Sequence, residues 1–159
     1  MITNTSSSAT TTAPKIFTDR RGWFDLRWCV RHAMLAIGGI SKTRTALAVA
    51  QRLSHDQVVR WVDLTTAATD TDVLSTVAAA LHLAPRAGPS LRETISVACH
   101  TTPPVLILEN CEPVVDVVAD FVVRLLRSAP ATRVLCTSRE PIGVPGEDVA
   151  RAAARRRGR

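Results

Sequence analysis

Short apolar runs alternate with amphipathic stretches through most of this chain. Residues 34–37 (Met-Leu-Ala-Ile) predict a strand. Residues 42–54 behind them carry Ala46, Val49, Ala50 and Leu53 on one helical face. Residues 57–64 predict a second strand. Residues 70–83 place Val73, Leu74, Val77, Ala78 and Leu81 on one face, with Asp and Thr near the start, which predicts a helix. Ser90 and Glu93 form an S-x-x-E capping box that opens a helix to about His100. The Thr-Thr-Pro-Pro run at 101–104 breaks that helix. Residues 105–108 (Val-Leu-Ile-Leu) are continuously apolar, as in a strand buried on both faces of a parallel sheet. Pro113 suits the first turn of a helix to about Ser128, with Val114, Val117, Val118, Phe121 and Leu125 inward. Residues 133–137 predict the last strand. Strands that alternate with helices predict an α/β fold, with a mostly parallel sheet flanked by helices.

The flanks differ from this pattern. Residues 1–15 are rich in Ser and Thr, without the charged and apolar regions of a secretion signal, and are expected to be a disordered leader. Residues 16–33 mix Phe17, Trp23, Phe24 and Trp28 with arginines, and the spacing of Phe24, Trp28 and Arg31 allows a short helix. The net charge of +6 is concentrated at one end. Residues 151–159 hold five arginines and no acid, and the rest, 15 basic residues against 14 acidic ones, is near neutral. The basic tail, residues 148–159, is expected to be a frayed, solvated C-terminus, and its Arg cluster is the one place where nucleic acid could bind through phosphate neutralisation.

The cysteines (Cys29, Cys99, Cys111, Cys136) form no C-x-x-C pair, so a zinc site is not expected. Cys99 and Cys136 fall in apolar patterns as small hydrophobes. Free thiols fit a reducing, cytoplasmic setting, and no run is long and apolar enough to predict a membrane span. His32, His55, His82 and His100 have no partners at ligand or catalytic spacing, and no Ser–His–Asp pattern is present.

Candidate chemistry begins at Gly38-Gly39-Ile40-Ser41-Lys42-Thr43, between the first predicted strand and the first predicted helix. Backbone N–H groups of a glycine-containing turn can curl around phosphate oxygens, a Lys can reach the outer phosphates, and a Ser/Thr hydroxyl can bind Mg²⁺. The pattern G-x-x-x-x-G-K-[ST] is incomplete: Ala36 and Ser41 stand at its glycine positions. Where such a turn needs positive φ, a non-Gly residue costs about 1–2 kcal/mol. Further along, an apolar strand ends in Glu109, and an acid there is placed to bind Mg²⁺ beside phosphates. At the end of the last strand stands Arg139, where a cation could reach a γ-phosphate.

Three phrases carry a resemblance: residues 38–46 (Gly-Gly-Ile-Ser-Lys-Thr-Arg-Thr-Ala), 108–112 (Leu-Glu-Asn-Cys-Glu), and 137–147 (Thr-Ser-Arg-Glu-Pro-Ile-Gly-Val-Pro-Gly-Glu). Together, in this order, they resemble the P-loop ATPase domain of bacterial STAND (NB-ARC-like) signal-transduction proteins, specifically in AfsR-type and LuxR-type transcriptional regulators. The resemblance runs from about Leu35 to Glu147, and residues 16–147 are assigned to the domain. It implies a P-loop NTPase core that binds ATP or ADP with Mg²⁺. Gly38, Gly39, Ile40 and Ser41 would offer N–H groups, Lys42 would hold the β- and γ-phosphates, and Thr43 and Glu109 would bind the metal. Arg139 would sense the γ-phosphate. Phe17-Thr18-Asp19-Arg20 faintly echoes a further family phrase, at too short a spacing from Lys42.

The departures set the functional expectation. Ala36 and Ser41 replace glycines, Glu109 is one methylene longer than the family's Asp, and Asn110 follows where a second acid would help. Weak binding and little or no hydrolysis are expected. Glu112 could polarise a water and is otherwise a surface or helix-start residue. Family members continue into a helical and winged-helix region and then into repeats or a DNA-binding domain. The twelve residues after Glu147 hold none of this, so a truncated product is expected. The alternative is a non-catalytic interaction fragment that binds a regulator partner or nucleic acid through its surface or Arg-rich tail.

Overall fold

The computed structural model describes residues 31–35, 39–84 and 88–151. The predicted leader, the aromatic segment to residue 30, Gly38, Cys29 and the tail from residue 152 lie outside the described residues. Among the described residues, five strands form one sheet: β1 (Arg31–Leu35), β2 (Val59–Asp63), β3 (Val105–Glu109), β4 (Arg133–Ser138) and β5 (Asp148–Arg151). The order across the sheet is β2-β3-β4-β1-β5, and every neighbouring pair is parallel. Among the described residues, four α-helices accompany the sheet: α1 (Gly39–Leu53), α2 (Asp70–Ala80), α3 (Leu91–Thr101) and α4 (Val115–Ser128).

The alternation of side chains along the central strands divides the core in two. Val105 and Ile107 of β3 and Leu135 of β4 pack with Ala46 and Leu53 of α1 on one face. Leu106 and Leu108, with Val134 and Cys136, pack on the other face against Val73 and Val77 of α2, Ile95 of α3, and Val118, Phe121 and Leu125 of α4. β3 is buried at all five positions, which accounts for its unbroken apolar run. Among the described residues Phe121 is the largest fully buried side chain, and burial of such a group contributes about 1.5–3 kcal/mol.

Local signals set the helix ends. α3 begins with the expected capping box: Ser90 Oγ accepts from Glu93 N, and the Glu93 carboxylate accepts from Ser90 N. α2 has the same device, built by Thr69 and Asp72. α2 stops at Ala80, short of the predicted residue 83, because His82 takes the left-handed conformation at φ 57°. The N–H groups of His82 and Leu83 turn back onto the carbonyls of Ala79 and Ala78, closing the helix end. The predicted helix at 113–128 opens instead with a 3₁₀ turn, Glu112–Val114, before α4.

Three other boundaries differ. The first strand is Arg31–Leu35, beginning three residues before the predicted 34–37, whose last two residues lie outside the described residues, and it takes residues 31–33 out of the proposed short helix. α1 starts at Gly39 rather than Lys42, so Gly39, Ile40 and Ser41 are its first turn, not part of an open loop. Asp148–Arg151, expected in the basic tail, forms edge strand β5 beside β1. Nine residues, 139–147, join parallel strands β4 and β5. This connection has no helix, but its Ile142 and Val144 are buried in the same core that α2, α3 and α4 cover.

The free cysteines Cys99, Cys111 and Cys136 are all buried. Burial pushes the Cys99 thiol up to about 11, so it behaves as the small hydrophobe expected. Among the described residues, no helix is long and apolar enough to cross a membrane.

Candidate functional site

Parallel pairing brings four strand ends to one edge of the sheet. Leu35 of β1 is level with Ser138 of β4, and Asp63 of β2 with Glu109 of β3. The carboxyl ends of parallel strands are where open α/β sheets bind ligands. β1 ends at this edge with Leu35, and α1 starts four residues later at Gly39. The first N–H groups of α1 have no intrahelical acceptor, and its dipole puts partial positive charge there. Among the expected phosphate donors, Gly39, Ile40 and Ser41 belong to this first turn.

Lys42, in the second turn, is only 5% exposed. Its Nζ donates to Oε1 of Glu112 at 2.9 Å. The same carboxylate oxygen lies 3.8 Å from Nε of Arg139, which follows β4 and is 83% exposed in its side chain. Two of the expected site residues, Lys42 and Arg139, thus converge on a third group, read from the sequence as an acid that could polarise a water or as a surface or helix-start residue. Glu112 does stand at a helix start, in the 3₁₀ turn, but it is the counter-charge of Lys42. Burial pushes the Glu112 carboxyl up. Hydrogen bonds from Lys42 and from its own backbone, with the charges of Lys42 and Arg139, outweigh burial and hold it below the usual carboxylate range.

Glu109 closes β3 and is 5% exposed. Its carbonyl accepts from Leu64 N at 2.9 Å, but its side-chain Oε1 is buried without a hydrogen-bond partner. A buried carboxylate oxygen in that state is unfavourable unless a cation or proton reaches it. Thr43, next to Lys42 on α1, is exposed. A helix turns 100° per residue, so its hydroxyl leaves α1 in a different direction from the Lys42 side chain.

The segment after β3 is held by a polar cluster. Asn110 adopts φ 59°, a conformation Asn tolerates better than most residues. Its side-chain amide donates to Asp63 Oδ1 at 3.1 Å and to Thr65 Oγ1 at 2.8 Å. Its own N–H donates to Thr137 Oγ1, and Cys111 N donates to the Thr137 carbonyl. The ends of β2, β3 and β4 are tied together in this way, immediately before Glu112. Thr65's hydroxyl and backbone N–H, then the Asn110 amide, depress the Asp63 carboxyl.

The residues after Arg139 form a closed loop. Ile142 N and Gly143 N donate to the two oxygens of Glu147 at 2.8 and 2.7 Å. Gly143 and Gly146 both take positive φ, at 78° and 73°. A Cβ on Gly143 would meet nothing within 4 Å, so backbone conformation rather than space calls for glycine there. The phrase 137–147 therefore encodes a connection, closed on itself by Glu147, that begins with Arg139 at the end of β4. The roles of Glu147 and Asn110 were not predicted; their signal lay in these phrases, as an acid beyond two glycines and an Asn at a strand end.

No protein-family model matches the chain. Among curated proteins, one of Mycobacterium tuberculosis named "Putative HTH-type transcriptional regulator" is 34% identical over 110 residues, 69% of this chain. An uncharacterized protein of the same organism is 36% identical over 112 residues. The chain spans 12% of the first relative and 28% of the second. Among solved structures, Cdc6p from Pyrobaculum aerophilum matches with TM-score 0.59 and 17% identity, over 76% of this chain and 38% of that one. The STAND protein with a tetratricopeptide-repeat sensor from Pyrococcus horikoshii matches with TM-score 0.52 and 13% identity, over 79% of this chain and 21% of that one. The fold is that of the P-loop ATPases, as expected.

Proposed function

We propose that this chain is the nucleotide-binding module of a STAND-type transcriptional regulator of the AfsR and LuxR type, with weak or absent hydrolysis. The observation that carries the reading is the convergence of Lys42 of α1 and Arg139, the residue after β4, on one anionic oxygen at the carboxyl edge of the sheet. A point that draws two cations together is where an outer phosphate of ATP or ADP fits. The similarity to a protein named as a transcriptional regulator supports the same class. Residues 16–147 form the module in this reading.

The residues present fit a nucleotide and its metal. The unpartnered Oε1 of Glu109 is a hard oxygen donor of the kind Mg²⁺ takes. Gly38, Gly39, Ile40 and Ser41 would present N–H groups, Lys42 and Arg139 would bind outer phosphate oxygens, and Thr43 with Glu109 would hold Mg²⁺. Bound Mg²⁺ would neutralise phosphate charge. Slow or absent turnover follows from the chain itself: Asn110 stands where a second acid would orient water, and its amide is committed to Asp63 and Thr65.

A thermal melt with and without Mg-ATP, on the wild type and Lys42→Ala, tests the reading. Ligand at about 100 times its Kd stabilises by about 2.7 kcal/mol, on the order of 5–10 °C for a chain of this size. That shift, lost in Lys42→Ala, is the expected result. A cooperative melt without a shift would favour the second reading, an interaction module whose Arg-rich residues 151–159 bind nucleic acid. Deletion of those residues would then abolish binding to DNA or RNA.

A further inference from the structure

We propose that Glu112 is an internal phosphate surrogate: its carboxylate occupies the anion position between Lys42 and Arg139, and a polyphosphate must displace it to bind. The inference rests on the nucleotide-site reading above and gives that site a competitor built into the chain.

The Lys42 ammonium is almost fully buried, and a buried charge needs a counter-charge in contact. Glu112 supplies it, not Glu109, although Glu109 is the more buried acid and leaves a carboxylate oxygen without a partner. The Glu112 oxygen that Lys42 holds is also the one nearest Arg139. A phosphate oxygen in the same place would need the same N–H donors. A carboxylate left beside it would be a like-charge neighbour, which disfavours binding.

Glu112 is also placed to move. It opens a 3₁₀ turn that has no side-chain cap, and about a quarter of its side chain is exposed. The residue two before it, Asn110, is fixed by hydrogen bonds to Asp63, Thr65 and Thr137, so displacement is confined to the turn ahead of α4. Ligand in the site is therefore coupled to the start of α4. The preferred ligand is an anion that outcompetes a carboxylate for two cations, a di- or triphosphate rather than a single phosphate.

The test is calorimetric titration of ATP and of inorganic triphosphate, each with Mg²⁺ and with EDTA. The proteins are the full chain, Glu112→Gln and Lys42→Met. An internal group that fills the site about nine-tenths of the time weakens apparent affinity about tenfold. Glu112→Gln is thus expected to bind both ligands about tenfold more tightly in EDTA, and Lys42→Met to lose binding. Equal or weaker binding by Glu112→Gln, with binding still dependent on Lys42, overturns the surrogate and leaves the nucleotide site standing. No binding by any of the three proteins overturns both. Should Glu112→Gln fail to melt cooperatively, Glu112→Asp withdraws the same charge by one methylene. It is expected to tighten binding by a smaller factor, and absence of tightening overturns the proposal.

Discussion

Glu112 Oε1 lies 2.9 Å from Lys42 Nζ, across 70 residues of sequence. The contact joins the start of α1 to the start of the 3₁₀ turn before α4, and so joins the elements that follow β1 and β3. It is the one described ion pair at this edge in which both partners are largely removed from solvent. Removal of either charge leaves the other in a partly dry place.

Lys42→Met keeps the aliphatic stem and removes the charge. Breaking a buried pair costs about 3–5 kcal/mol; Glu112 keeps part of its hydration, so about 1–2 kcal/mol is expected here. Urea denaturation measures it. The Glu112 carboxyl then loses its strongest counter-charge and rises toward, or above, its ordinary value. An unchanged urea midpoint would mean that the pair contributes nothing to folding.

The loop after β4 gives a second prediction. Glu147→Ala removes the acceptor of the Ile142 and Gly143 N–H groups and should cost about 1–3 kcal/mol. Hydrogen exchange at those two amides should accelerate more than exchange in β3. Gly143→Ala, at φ 78°, should cost about 1–2 kcal/mol through backbone conformation alone, because no atom stands in the way of the new methyl group. If Gly143→Ala is neutral, the loop adopts another conformation in solution.

Acid should destabilise the fold. Asp63, Asp72, Glu93 and Glu112 all titrate below their ordinary values, 3.8 for the aspartates and 4.5 for the glutamates. For Asp72 the main cause is the Ala68 N–H, and for Glu93 the Ser90 N–H. Each carboxylate binds its proton more readily unfolded than folded. Its stabilisation is complete above the ordinary value and is lost as pH falls from there through the depressed one. The urea midpoint should therefore be level near neutrality and decline below about pH 4.5. Asp72→Asn and Glu93→Gln should flatten that decline.

Most elements were legible because their signals are local. The unbroken apolar run of β3, the Ser90–Glu93 box and the broad apolar face of α4 need no distant partner to be read. β5 was not legible, since the short run Asp148–Arg151 becomes a strand only by pairing with β1 at the sheet edge, and it leads directly into the basic segment. The early start of α1 was obscured by the glycines, which suit a phosphate loop and also a first turn. At the candidate site, residue types were legible and their pairing was not. The sequence offered Lys42, Glu109, Glu112 and Arg139 as chemistry, but which acid meets the lysine is decided by the path of the chain between β3 and α4.

That path depends on Asn110. Its left-handed backbone turns the chain at the end of β3, and its side-chain amide binds Asp63 and Thr65 at the end of β2. Two substitutions separate these roles. Asn110→Gly keeps the backbone freedom and removes the amide, so it should lose about 1–2 kcal/mol from the hydrogen bonds. Asn110→Ala removes both and should lose about 1 kcal/mol more, the usual penalty for a Cβ at positive φ. In either variant the Asp63 carboxyl, depressed partly by this amide, should titrate closer to 3.8, which carboxylate NMR can follow. If Asn110 also sets the position of Glu112, both variants should weaken the Lys42–Glu112 contact and raise the Glu112 titration as well. A shift at Asp63 without one at Glu112 would show that the 3₁₀ turn holds its place without the Asn110 clamp.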